Sequence, residues 1–243
     1  MELRIAHLYP ELMNIYADRG NIITLVSRCR WRGVDVRVDN FGPGETPAWR
    51  EYDFFYLGGG QDREQRLVAR DLASKGAGLA DAVERGAALL AICGGFQLLG
   101  QYYRTSAGET MEGVELFKAY TVAGRRRLIG NVVVESRMDG NIFELAGFEN
   151  HSGKTYLTEE GQPLGRVVAG FGNNAEDKTE GIIYRSAIGT YLHGPLLPKN
   201  PELADFLLQR SLRRRYGAEA VLASLEDGLE REAHSVAIKR AGR

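Results

Sequence analysis

Two residues of this 243-residue chain could together make and break a covalent bond: Cys93, in AALLAICGGFQLLG, and His193, in GTYLHGPLL. The cysteine stands between an apolar run and two glycines that open a helix-like stretch, so a buried strand is expected to turn sharply there and present the thiol. At such an elbow the backbone N–H of the next residue, Gly94, points at an oxygen that gains charge during attack on a carbonyl, and the helix N-terminus stabilises negative charge on sulfur. The thiol needs a base. His193, at the end of another strand-like stretch, is the best placed of the four histidines to take its proton and return it to a leaving group. His7 and His234 read as packing or surface residues. Positions 93 and 193 are far apart in sequence, so only the fold can join them.

The elements that would position these groups are readable from periodicity. LRIAHLY (residues 3–9) is short and apolar, as a first buried strand is, and residues 21–30 space Ile22, Leu25, Val26 and Cys29 as one helix face. VDVRV (34–38) alternates like a strand, and YDFFYLGGG runs an apolar strand into three glycines. A helical stretch over about residues 63–85 leads to the strand AALLAIC, and GGFQLLGQYY after it has helical character. Such alternation predicts an α/β fold: a doubly wound, mainly parallel sheet with helices on both faces. Beyond Tyr103 the shorter pieces RLIGNVVVES, KTYL, GRVVAGFG and GIIYRSAIGTYLHG predict an antiparallel extension of that sheet. ELADFLLQRSLRRRYG reads as an amphipathic helix stopped by Gly217, followed by a second helix-prone stretch. No repeat or linker divides the chain, so residues 1–243 are expected to form one domain.

Composition excludes several classes. A net charge of -1, with 44% hydrophobic and 26% charged residues, gives no global field for nucleic acid. Two cysteines do not make a disulfide framework, and their spacing to the histidines does not suit zinc. The opening MELRIAHLYPELMN lacks the basic and apolar regions of a signal peptide, and no window reaches the roughly 18 apolar residues of a membrane span, so a cytoplasmic location is expected. GFENHSGKT ends like a phosphate loop, but its glycine spacing is one residue too long. No metal or cofactor is expected.

The motifs YLGGG, AICGGFQLLG, GFENHSGKT and GTYLHG, in this order over most of the chain, resemble the class I glutamine amidotransferases, in the cobyric acid synthase-like branch, whose fold is flavodoxin-like. Within that branch the opening HLYPELMNIYADRGN and the RRRLIGN segment are similar to the stand-alone glutaminase subunits of lipid II isoglutaminyl synthases. The resemblance implies that Cys93 attacks the carboxamide carbon of L-glutamine, releasing ammonia and leaving a γ-glutamyl thioester that water cleaves to glutamate. It implies an oxyanion hole from Gly94 with Gly59 or Gly60, where a side chain would obstruct the close approach of backbone N–H groups. Gln97, one helical turn past Cys93, is implied to touch the substrate. Asn150 and Ser152 are implied to bind its α-amino and α-carboxylate groups, and Arg127 to offer a guanidinium fork to the carboxylate.

The implied partner is a separate Mur-ligase-like synthetase subunit of the MurT type. It would bind ATP and lipid II and use the ammonia to amidate the D-glutamate of the stem peptide. Docking is expected near the mouth of the site, on exposed segments such as Asp18 to Asn21 or on Arg213 to Arg215. One departure from the wider class stands out. Many members carry a glutamate two positions after the histidine, whereas Pro195 stands here. The histidine therefore works in a Cys–His dyad, or its orienting acid comes from elsewhere, a partner carboxylate included.

Overall fold

A computed structural model describes residues 1–15 and 18–242; Tyr16 and Ala17 of the opening motif lie outside the described residues. The first half of the chain alternates as its periodicity predicts. Strand β1 (Glu2–Leu8) leads to helix α1 (Arg19–Arg30) and strand β2 (Asp35–Phe41). Strand β3 (Phe54–Leu57) is followed by helices α2 (Asp62–Leu72) and α3 (Gly76–Glu84). Strand β4 (Ala88–Ile92) then runs into the short helix α4 (Gly94–Leu98). Every residue of β3 and β4 is buried, as expected of central parallel strands covered on both faces.

The stretch expected as one helix over about residues 63–85 is two helices, because the chain breaks at Ala73–Lys75. Gly76 there packs so closely on Val114 that an added Cβ would lie 2.7 Å from it. The helix after Cys93 stops at Leu98 and does not reach Tyr103. Gly100 is pressed against the Ala119 carbonyl, and the backbone of Tyr102 to Arg104 is taken up by strand pairing.

The second half holds β5 (Tyr102–Arg104), β6 (Thr110–Glu112), the long strands β7 (Ala119–Met138) and β8 (Asn141–Leu157), β9 (Gly165–Ala169) and β10 (Thr179–Glu180). Strands β11 (Ile182–Tyr184) and β12 (Ala187–Thr190) follow, then helices α5 (Pro201–Tyr216) and α6 (Gly228–Arg240). The first sheet has the order β11-β12-β4-β3-β1-β2, with all neighbours parallel except β11. This is the doubly wound arrangement expected. Strands β5 to β10 do not extend that sheet, as the sequence reading had it, but form a second one. The place beside β4 is already filled by β12 in parallel register, and the 20 and 17 residues of β7 and β8 far exceed the span of the first sheet's strands, so they pair with each other. Only β11 supplies an antiparallel extension.

The arginines expected to greet a partner are largely committed to the fold. Arg214 and Arg215 hold the wholly buried carboxylate of Asp53 at 3.0 and 2.7 Å, which ties the end of α5 beneath the sheet, while Arg213 is exposed. A charge buried without such partners would cost several kcal/mol, which is why both guanidiniums turn inward. Gly217, at φ 91°, ends α5 as predicted, since only glycine takes that conformation without strain.

Candidate active site

Parallel packing brings the carboxyl ends of β1, β3, β4 and β12 to one edge of the sheet, the place where open α/β sheets bind ligands. The chain leaves that edge at Gly58–Gly60 after β3, at Cys93 after β4 and at His193 after β12, and the segment following β1 returns there as Asp18 at the start of α1.

Cys93 adopts φ 49°, ψ −103°, a backbone state that residues with side chains rarely take and that costs on the order of 1–3 kcal/mol. The surroundings enforce it. Its N–H donates to the Thr190 carbonyl at 2.8 Å, and a Cβ on Gly94 would fall 2.9 Å from both the Gly60 nitrogen and Gln65 Nε2. A Cβ on Gly95 would lie 2.6 Å from the Leu57 carbonyl. The turn at Cys93 and the glycine loop of β3 thus touch backbone to backbone, an approach only glycine allows. Of the three loop glycines, Gly60 lines the cavity beside Cys93. Gly59 packs beneath the histidine, where its Cβ would meet His193 Cε1 at 3.3 Å, and its carbonyl accepts from the Ile15 N–H at 3.2 Å.

His193 is fully buried, and its backbone is clamped to β8 by paired bonds with Phe148 of 2.8 and 3.2 Å. The Cys93 side chain acts on its ring electrostatically, while Nδ1 lies 3.1 and 3.4 Å from the two carboxylate oxygens of Asp18. Burial alone would lower the pKa of this imidazole, but its interactions with Cys93 and with the Asp18 carboxylate outweigh it and push it up to about 10. Asp18 of this chain is thus placed against the ring nitrogen that an orienting acid would hold. Asp18 and Asn21, expected on a docking surface, are both buried. Asn21 bonds the Tyr56 hydroxyl at 3.0 Å and accepts the Leu197 N–H at 2.8 Å.

Behind His193, Glu180 accepts from the Thr190 hydroxyl at 2.6 Å and from the Tyr191 N–H at 2.7 Å. Burial pushes its carboxyl up to about 7 against the pull of those bonds, with the neighbouring Glu149 adding to the rise.

A cavity of about 650 Å³ opens over Cys93 and is lined by Gly60, Gln97, Arg127, Asn150 and Ser152 among others. The structure thus brings Cys93, Gly60, Gln97, Arg127, Asn150 and Ser152 to one cavity, with Gly94 packed on Gly60 and Gly59 packed on His193 outside its lining. Gln97 is fixed by donating to the Tyr191 hydroxyl at 2.9 Å, and that hydroxyl shares a 2.7 Å bond with Thr155. Tyr191 is in turn stacked on His151, with ring centroids 3.6 Å apart. Arg127 stands where the register of β7 shifts against β8, between Ala123 and Leu128. Its Nε and Nη2 both donate to Asn150 Oδ1, at 3.0 and 2.8 Å, so the fork is braced over the cavity.

His7 and His234 stay outside the site. Burial and then Arg19 pull His7 down to about 4, and His234 bonds the Lys199 carbonyl at 2.7 Å. Burial pushes the Cys29 thiol up to about 12, which leaves it inert. Sequence reasoning missed this place of Asp18, because it read residues 18 to 21 as an exposed docking segment. Here its side chain makes no capping bond and turns to His193, 175 positions away. It also missed the Tyr191 and His151 stack, for which the sequence carries no signal.

With this geometry in view, the chain's likeness to known proteins is direct. Residues 4–201 match the CobB/CobQ-like glutamine amidotransferase domain. The chain is 42% identical over 242 residues to the GatD subunit of lipid II isoglutaminyl synthase (glutamine-hydrolyzing) from Staphylococcus aureus, covering 100% of this chain and 97% of that protein. It is 40% identical to the GatD subunit from Streptococcus pneumoniae, over 95% of this chain and 88% of that protein. A probable cobyric acid synthase of Methanocaldococcus jannaschii is 31% identical over 60% of this chain but only 30% of its own length. In fold, the chain resembles a glutamine amidotransferase from Thermotoga maritima, with a TM-score of 0.55 at 18% identity over 99% of this chain and 90% of that one. On these matches and this architecture, the chain belongs to the CobB/CobQ-like glutamine amidotransferase family.

Proposed function

We propose that this chain is the glutaminase subunit of a lipid II isoglutaminyl synthase, hydrolysing L-glutamine to glutamate and ammonia for a separate synthetase. The observation that carries the reading is the buried His193 ring, held by Asp18 at Nδ1 and acted on electrostatically by Cys93, with the Gly60 and Gly94 backbones in close approach. The Cys93 sulfur attacks the carboxamide carbon, and the oxygen that becomes negative is met by the Gly94 and Gly60 N–H groups. As the tetrahedral centre collapses, the C–N bond breaks and His193 gives its proton to the departing nitrogen, so that ammonia leaves. Water, its proton taken by His193, then adds to the γ-glutamyl thioester, and glutamate is released with the thiol restored. Asp18 is a positioning residue: by accepting from Nδ1 it keeps Nε2 aimed at sulfur and supports the positive ring. Arg127 holds the substrate α-carboxylate, braced by Asn150, while Ser152 and Gln97 line the two sides of the cleft.

Ammonia is mostly protonated near neutral pH and then cannot act as a nucleophile, so it is handed over under shelter to a partner. That partner is a Mur-ligase-like synthetase of the MurT type, which binds ATP and lipid II and amidates the D-glutamate to D-isoglutamine in the cytoplasm. This acceptor is favoured over a corrinoid because the chain matches the GatD subunits over almost their whole length and the cobyric acid synthase over less than a third of its own. The described residues contain no helix long and apolar enough to cross a membrane. The chain acts as a single domain, a reading supported by one hydrophobic cluster that takes in Leu90 of the first sheet and Val132 of the second. The test is twofold. The purified complex should release glutamate from L-glutamine, and the protein co-purified from cells should be a Mur-ligase-like enzyme; a corrinoid-amidating partner would overturn the cell-wall assignment, and no glutamate release would overturn the glutaminase reading.

A further inference from the structure

We propose that Asp62 is the specificity-determining residue that recognises the α-ammonium group of the substrate, an inference that rests on the glutaminase reading. L-Glutamine enters as a zwitterion, so a site selective for it must answer one negative and one positive charge. The cavity over Cys93 is lined by two guanidiniums, those of Arg63 and Arg127, and among the described residues by a single carboxylate, that of Asp62. Arg127 suits the α-carboxylate. The family resemblance points to Asn150 and Ser152 for the α-amino and α-carboxylate groups, but the acceptors of Asn150 are already engaged. Its side-chain oxygen accepts twice from Arg127, and its backbone oxygen accepts from Arg127 Nη2 at 3.2 Å. The Gly153 carbonyl, also on the cavity wall, lies 2.7 Å from His151 Nδ1, and the Gly60 carbonyl accepts from Gln65 Nε2 at 2.9 Å.

Asp62 is differently placed. It opens helix α2, directly beyond the glycine loop of β3, and its side chain is exposed to the cavity with one oxygen held at 3.3 Å by the Tyr103 hydroxyl. Tyr103 lines the same cavity as Asp62, Cys93 and Arg127, so the acid, the thiol and the guanidinium fork share its walls with this ring. A substrate reaching from Cys93 to Arg127 therefore passes Tyr103 with its α-carbon close to Asp62. The bound Tyr103 hydroxyl fixes one carboxylate oxygen and leaves the other for an N–H⁺ donor, a charge-assisted bond of the stronger kind.

The experiment compares L-glutamine with glutaramate, which carries the same carboxamide and carboxylate but no amino group, on the wild-type complex and on its Asp62→Asn variant. Wild type should prefer L-glutamine by about 10- to 100-fold in kcat/KM, as expected for one charge-assisted bond. Asp62→Asn should remove most of that preference by raising KM for L-glutamine, with kcat/KM for glutaramate unchanged within about twofold. Where glutaramate turns over too slowly to follow, its inhibition constant against L-glutamine gives the same comparison. An equal loss for both compounds, or no loss for either, overturns the assignment while leaving the glutaminase reading intact. A wild type that releases no glutamate from L-glutamine overturns both. The unchanged glutaramate figure also shows that the variant is folded.

Discussion

Replacing Asp18 with alanine removes the only carboxylate seen against Nδ1 of His193 among the described residues, and the cost can be worked from the contact. The two oxygens lie 3.1 and 3.4 Å from the ring nitrogen, and both side chains are wholly shielded from water. A hydrogen bond to a charged group in such a place is worth about 1.5–3 kcal/mol. At about 1.4 kcal/mol per factor of ten, Asp18→Ala should lower kcat/KM for L-glutamine by about 10- to 150-fold. The sign of the pH effect follows from the same contact. Burial depresses the His193 pKa, while Cys93 and Asp18 raise it to about 10, so without Asp18 burial weighs more heavily and the pKa falls. His193 must be protonated to release ammonia, so the alkaline limb of the kcat/KM profile should move down by about one to two pH units. The assay is glutamate release by the complex with its synthetase between pH 6 and 11, a range of about five units around the working point. An alanine variant within about twofold of wild type, or one that loses activity with its alkaline limb unmoved, would refute the positioning role.

Other substitutions probe separate parts of the account. Gly94→Ala would place a Cβ 2.9 Å from the Gly60 nitrogen, prising the two amide-bearing loops apart, and should lower kcat by about 100- to 1000-fold with the thermal unfolding midpoint less affected. Arg215→Ala removes one of two partners from the buried Asp53 and should destabilise the fold by about 3 kcal/mol in urea titrations, with no loss of affinity for the synthetase; weakened binding at unchanged stability would return this arginine to the docking surface. Glu180 has a folded pKa raised to about 7, so the folded state holds an extra proton between about pH 4.5 and 7, and the stability this gives is present in full below the unfolded value and lost as pH rises through the folded one. Glu180→Gln should therefore gain about 3 kcal/mol relative to wild type between pH 4 and 8, about four units apart, and a parallel pH dependence of the two proteins would exclude that titration.

What the sequence disclosed and what it hid have different physical sources. Buried parallel strands such as FFYL and ALLAI announce themselves through unbroken apolar runs, and the glycines after them mark backbone approaches that tolerate no Cβ. The mainly parallel sense of the first sheet and the elbow at Cys93 were legible for that reason, whereas Gln97, Arg127, Asn150 and Ser152, which line one cavity with Cys93, were indicated by the family resemblance. The pairing of β7 with β8 was not, since strands of that length show alternation but not which sheet they join. Asp18 was hidden because its partner is distant in sequence and because a short charged segment before a helix reads as solvent-exposed. The arginines of α5 misled for the opposite reason. A run of charge suggests a solvated face, and only the fold reveals the buried Asp53 beneath it.

The central claim is that Cys93 carries the γ-glutamyl group during turnover. It is tested most directly by quenching the complex in acid while it consumes L-glutamine and mapping the modified peptide by mass spectrometry. The account predicts one γ-glutamyl adduct on Cys93, none on the buried Cys29, and no adduct or glutamate release from Cys93→Ala. Glutamate release that survives in Cys93→Ala, or an adduct found on Cys29, would contradict it.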